Sequence, residues 1–149
     1  SRRWTEAIDR HYAEHEIAWD REVTVRMTSL DALIEQFGEP AFVKIDVEGM
    51  EEAALAGLSR PVPALSFEVT TIHRGAGLGA LARVAALGPY RFALSLGEGF
   101  DLPAEWVGAE AMAERIATLP GVANSGDVYA VHEGAAHAGA PLVPDGGAG

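Results

Sequence analysis

The sequence contains no cysteine, which excludes a disulfide framework, a thiolate zinc site and a cysteine nucleophile. No apolar run approaches the roughly eighteen residues that cross a bilayer, so a membrane is not an expected partner. The first residues lack the charged-then-apolar form of a signal peptide, and a reducing cytoplasm is the expected compartment. Basic residues are scarce, 11 against 22 acidic, for a formal net charge of −11. A field of that sign repels phosphate backbones and anionic lipid, so nucleic acid is not an expected partner either. What is present is apolar content of 48% over 149 residues, enough for one ordinary domain with a core rather than a disordered chain. The chain opens at Ser1 straight into Arg2, Arg3 and Trp4 without an initiator methionine, and it reads as a piece of something longer.

Periodicity divides the chain into alternating elements. Trp4, Ile8 and Tyr12 mark a helical stripe over residues 4–16. Val23, Val25 and Met27 alternate with Glu22, Thr24 and Arg26, the pattern of a half-buried strand. Thr28 or Ser29 can cap a helix whose face is Leu30, Leu33, Ile34 and Phe37, and Gly38 and Pro40 end it. Residues 41–47 are short, apolar and β-branched, which predicts a strand buried on both faces of a parallel sheet. A helix from Glu48 to Leu58 follows, with Met50, Ala53, Ala54 and Leu58 as its packing face. Pro61 and Pro63 separate it from a second buried strand over 64–69. A helix over 78–87 leads to a third strand from Tyr90 to Leu96. Strand, helix, strand, helix, strand with short connections is what right-handed βαβ crossovers require, so the fold class is α/β. Farther on, Pro103, Trp106, Met112, Ile116 and Leu119 outline a helix ending at Pro120 and Gly121, and residues 127–132 a last strand. Residues 133–149 are mostly Ala, Gly and Pro, too poor in large apolar groups to offset their ordering entropy; a disordered tail is expected there, with the domain itself spanning 1–132.

The chemistry concentrates in the run Lys44-Ile45-Asp46-Val47-Glu48-Gly49-Met50-Glu51. Acids at the carboxyl end of a buried parallel strand lie where open α/β sheets bind ligands. If the strand over 64–69 is the neighbour, Glu68 rises at the same rim, and the following loop supplies Thr70, Thr71 and His73. Such groups suit a hydroxyl-bearing substrate whose proton must be accepted, or a divalent cation held through oxygen. For Glu48, Glu51 and Glu52 a plain alternative is stabilisation at a helix N-terminus, by about 0.3 to 1 kcal/mol each. Lys44 suits a functional cation or a pairing partner for a strand-end acid, against an aliphatic stem reaching to solvent; for His73 the plain alternative is a solvated loop. Asp46 is harder to explain structurally, because a carboxylate in a buried strand is costly unless paired or at the rim. Gly75, Gly77 and Ala80 fit a dinucleotide fingerprint, with Glu98 about twenty residues on. A true fingerprint turns directly off its strand, whereas residues 70–74 intervene here, which argues against a nicotinamide site.

The runs Thr28-Ser29-Leu30-Asp31-Ala32-Leu33, Phe42 through Glu51, Leu55-Ala56-Gly57-Leu58 and Ser66-Phe67-Glu68 resemble, in order and spacing, the FkbM family of S-adenosylmethionine-dependent methyltransferases. Leu87 through Phe92 and Gly126 through Ala130 are similar to the family's later parts. The resemblance implies the C-terminal half of a class I methyltransferase, a Rossmann-like sheet with flanking helices. It also implies methylation of a hydroxyl on a small molecule or sugar, with S-adenosylmethionine as cofactor. The acidic strand end near the transferred methyl carries over to Asp46 and Glu48, and the rim residues Glu68 and His73 complete the expected catalytic set, with no metal. The family's Gly-rich cofactor loop belongs upstream of the region matched here, so cofactor contacts are not assigned and this piece is expected to be inactive alone. A non-catalytic α/β binding or assembly module that kept the scaffold is the alternative.

Overall fold

The computed structural model describes residues 23–97 and 101–134. The expected helix over 4–16, Glu98 and most of the expected tail lie outside the described residues. The elements run α1 (Leu30–Phe37), β1 (Val43–Ile45), α2 (Glu51–Leu55), β2 (Ala64–Thr70), α3 (Arg74–Leu87), β3 (Tyr90–Leu96), α4 (Ala109–Thr118), a 3-10 turn (Gly121–Ala123) and β4 (Ser125–His132). No helix among the described residues is long and apolar enough to cross a membrane.

Ser29 caps α1, its hydroxyl accepting from the Ala32 N–H at 3.2 Å, and Gly38 ends it with φ 89°. Asp31 in the first turn accepts from the Ser59 N–H at 3.0 Å and so ties α1 to the loop after α2; that bond holds its carboxyl below the usual carboxylate range. Only part of the expected apolar face is used. Leu30 and Ile34 pack against the core, while Phe37 stays 75% exposed.

The strand expected over 22–27 does not form among the described residues 23–27. Val23, Val25 and Met27 are exposed at 73%, 72% and 92%. Alternation states which side of a strand would be buried, but a strand exists only where a neighbour accepts its hydrogen bonds.

The sheet has the order β1-β2-β4-β3. β1 pairs parallel with β2, and β4 pairs antiparallel with both β2 and β3. The parallel strands β2 and β3 are therefore separated by the last strand, a mixed sheet in place of the expected parallel one. β1 lies at the edge, pairing with β2, and Lys44 within it is exposed, so burial on both faces also fails for this strand. The α/β fold class itself stands: a four-stranded sheet flanked by helices, compatible with part of a Rossmann-like fold.

One face of the sheet makes the core. Ile45, Leu65, Phe67, Val69, Phe92, Val128 and Ala130 pack with Leu55, Leu58, Ala80, Leu81, Val84, Met112 and Ile116 from the helices. Two arginines of α3 tie neighbouring helices by their carboxyl ends, where carbonyls lack intrahelical partners. Arg83 donates to Leu55 O and Leu58 O, both at 3.4 Å, and Arg74 donates to Leu119 O at 2.6 Å. The start of β2 is fixed by Tyr90, buried at 5% exposure. Its hydroxyl donates to Val62 O at 2.7 Å and accepts from Val62 N–H at 2.9 Å.

Tyr90→Phe leaves both Val62 groups unpaired in the interior. We expect a loss of about 1–3 kcal/mol in urea unfolding with an unchanged slope.

Candidate active site

Strand register brings the polar residues into rows. Lys44 pairs with Ser66, Ser66 with Tyr129 and Tyr129 with Ala93. One row nearer the carboxyl edge, Glu68 pairs with Asp127 and Asp127 with Ser95. Side chains two residues apart on a strand share a face, so these rows stand on the face opposite the apolar core. Asp46, two residues beyond Lys44, extends the acidic row past the end of β1. Lys44, Asp46, Glu68, Ser95, Asp127 and Tyr129, with Gly97, Ser125 and Gly126, line an open cleft of ≈ 250 Å³. It lies at the carboxyl ends of β1, β2 and β3, the edge where α/β sheets bind ligands.

The cleft is acidic with one cation set into it. Lys44 Nζ donates to Asp127 Oδ1 at 3.2 Å and Oδ2 at 3.1 Å, and lies 3.6 Å from Asp46 Oδ2. The hydrogen bond to Asp127 raises the Lys44 pKa above its ordinary value, so the ammonium is retained. Glu68 behaves oppositely. Partial burial, reinforced by the charges of Glu48, Asp46, Glu51 and Asp127, pushes its carboxyl up to about 7. Burial, with Asp127 beside it, also raises Tyr129, whose ring stacks on Phe42 with centroids 6.4 Å apart. Ser66 and Ser95 are buried on this face at 0% and 2% exposure, and neither Oγ has a hydrogen-bond partner.

The turn after β1 carries Glu48 and is built on left-handed backbone: φ is 50° at Glu48 and 87° at Gly49. Gly49 accommodates that conformation without a steric penalty. The turn is tied by Glu51, 2% exposed, whose Oε1 accepts from Gly49 N–H at 2.9 Å and Val47 N–H at 3.3 Å. The last acid of the Asp-Val-Glu-Gly-Met-Glu run, Glu51, is thus a structural strut, and the helix begins at Glu51 instead of Glu48 because the turn occupies the residues between.

Of the residues expected from sequence, Asp46 and Glu68 line the same cleft. Glu48 sits exposed on the turn, near enough for its charge to act on Glu68. His73 does not line the cleft; it is exposed at the start of α3, its backbone N–H donating to Thr70 Oγ1 at 3.2 Å. Asp127, Ser95 and Tyr129 were missed as site residues. Asp127 does carry a signal, an acid among apolar residues of a strand, but its place beside Glu68 depends on strand order. The glycine fingerprint dissolves: Gly75, Gly77 and Gly79 lie inside α3, which begins at Arg74. A Cβ on Gly77 would come within 2.6 Å of Val69 Cγ1, so that glycine lets α3 approach β2. Among the described residues no cluster of His, Cys, Asp and Glu could hold a metal ion.

The chain is thus an α/β domain whose mixed sheet carries an acidic cleft at its strand ends. The methyltransferase FkbM domain matches residues 3–92, and the chain belongs to that methyltransferase family. The matched span ends within β3, so Ser95 and Asp127 come from beyond it. No curated protein matches the chain.

Two expectations follow. Glu51→Ala frees the amides of Val47 and Gly49 and empties a buried site; we expect about 1–3 kcal/mol of destabilisation by chemical unfolding. Glu68 in the folded state keeps its proton to about pH 7, against 4.5 for the ordinary group. The folded state therefore binds more protons between those values, and the group's contribution to stability falls as pH rises through them. Thermal melts of Glu68→Gln should match the parent near pH 4 and exceed it at pH 8, by about 1 kcal/mol or less once solvent screening is allowed for.

Proposed function

We propose that the cleft is the acceptor site of an S-adenosylmethionine-dependent O-methyltransferase, and that Glu68 accepts the proton of the acceptor hydroxyl. The observation that carries this reading is the Glu68 carboxyl: it sits in the cleft at the strand ends, with a pKa of about 7. A general base works best when its pKa lies near the operating pH. At neutral pH an ordinary glutamate is fully ionised but a weak base, whereas Glu68 is partly ionised and binds a proton more strongly.

The methyl donor supplies an electrophilic methyl on a sulfonium when bound. The charge of the cleft suits that cation, since Asp46 and Glu68 contribute carboxylate charge beyond what Lys44 offsets; no further cofactor contact is assigned to this chain. Methyl transfer to oxygen is an in-line displacement, so the protein must align the acceptor and remove its proton. Asp46, Glu48 and Asp127 supply the negative surroundings that hold the proton on Glu68 after transfer. The Tyr129 ring, on which Phe42 stacks, gives the cleft an apolar wall. A small hydroxyl-bearing molecule or sugar fits a cleft of ≈ 250 Å³, and the net charge of −11 favours such acceptors over nucleic acid or anionic lipid.

Calorimetry with S-adenosylmethionine on a protein that includes the family's upstream cofactor loop, followed by methyl transfer to a panel of sugars and alcohols, tests the proposal. Turnover should rise with pH through about 7, and Glu68→Gln should lower kcat/KM by about 10²–10⁴ and remove that limb. Full activity in Glu68→Gln would contradict the assignment of the base. Absence of donor binding would favour a binding or assembly module.

A further inference from the structure

Lys44 reaches farther than its position suggests. It belongs to the edge strand β1, while Asp127 belongs to β4, and β2 runs between them. At about 4.8 Å per strand, β1 and β4 lie roughly 10 Å apart. The ammonium nevertheless meets both Asp127 oxygens, at 3.1 and 3.2 Å, and Asp46 Oδ2 at 3.6 Å. The Lys44 stem must therefore cross the polar face of β2 from beside Ser66, its register partner, toward the row that holds Glu68 and Asp127.

Among the described residues lining the cleft, Lys44 is the one cation. Its charge is engaged by Asp127 and Asp46. Glu68, standing between those acids in the row, has no ion pair or side-chain hydrogen bond among the described residues. The groups whose charge acts on it are Glu48 on the turn, Asp46 at the end of β1, Glu51 at the start of α2 and Asp127 on β4; Lys44 and Tyr129 are the other titratable groups of the cleft.

We propose that Lys44 is a positioning residue for the transfer: its ammonium straps Asp127 and Asp46 together across β2 and leaves Glu68 the one carboxylate of the row disengaged and open to the acceptor. This rests on the cleft being the acceptor site. The strap does two things at once. It offsets the flanking carboxylates enough for three acids to share one strand edge, and by lying nearer to Asp127 than to Glu68 it avoids pairing with the base. A cation directly on Glu68 would favour its ionised form and weaken it as a proton acceptor.

The test is a pH titration of the Glu68 side-chain carboxyl by carbon NMR on the full chain, with the amide spectrum reporting the fold. The parent midpoint should lie near 7. Lys44→Met leaves Asp127 and Asp46 uncompensated and should raise it by about 0.5–1 pH unit, while Lys44→Arg, which keeps the charge, should restore the parent value. Asp127→Asn removes one flanking charge and releases Lys44 toward Glu68, so the midpoint should fall by a similar amount. A folded Lys44→Met protein with an unmoved midpoint would overturn the proposal. If Lys44→Met does not fold, an Asp127→Asn midpoint that stays or rises would do the same. These titrations need neither methyl donor nor acceptor, so they stand apart from the methyl-transfer reading: shifts as expected, with no turnover in a protein that binds the donor, would sink the acceptor-site assignment alone. In an active preparation, the pH limb of kcat/KM must move with the Glu68 midpoint in each variant; a limb that stays while the midpoint moves contradicts a positioning role.

Discussion

The antiparallel insertion of β4 between β2 and β3 is the constraint on which the rest depends. It sets Asp127 directly beside Glu68 on one ladder and beside Ser95 on the other. Without that strand, Glu68 would lose one of the charges that hold its proton and Lys44 would lose the partner it reaches across β2 to meet. A hydrogen-bonded ladder is an economical way to crowd like charges, because the backbone pairing that holds the strands together does not depend on the state of the side chains it brings close.

The crowding is graded. Asp127 is neutralised by Lys44 at 3.1 Å, Asp46 loosely so at 3.6 Å, and Glu68 is left to carry the mutual repulsion. Coulomb interactions in a partly desolvated cleft are stronger than at an open surface, so the uncompensated acid answers by holding its proton. Glu51 belongs to the same electrostatic neighbourhood but is committed elsewhere, to the amides of the left-handed turn. Two acids three residues apart thus have separate tasks. Glu48 adds charge at the cleft, and Glu51 holds the turn that sets Glu48 and, through Val47, the end of β1.

Much of the fold is legible in local pattern. The capping serine and terminating glycine of α1, the short β-branched run of β1 and the apolar strands β2 and β3 all follow from residue type and period. The pattern misled where it met no neighbour, at residues 23–27, and where it buried β1 on both faces. The Gly75-to-Ala80 stretch shows the same limit from the other side: its residue types fit a phosphate loop, yet the helix begins before them and Gly77 serves close packing on Val69.

The acid at the end of β1 and its partner Glu68 could be read from the chain because each is a costly residue at the end of an apolar strand, a one-dimensional signal. The run Lys-Ile-Asp-Val-Glu-Gly-Met-Glu, with the shorter runs before and after it, likewise marked the methyltransferase family. Which of those acids binds a proton, which is neutralised and which ties a turn was decided in three dimensions. Asp127 lies fifty-nine residues from Glu68 in the chain and next to it in the sheet. Strand order is set by how the helices and the last strand pack, and no local period encodes that.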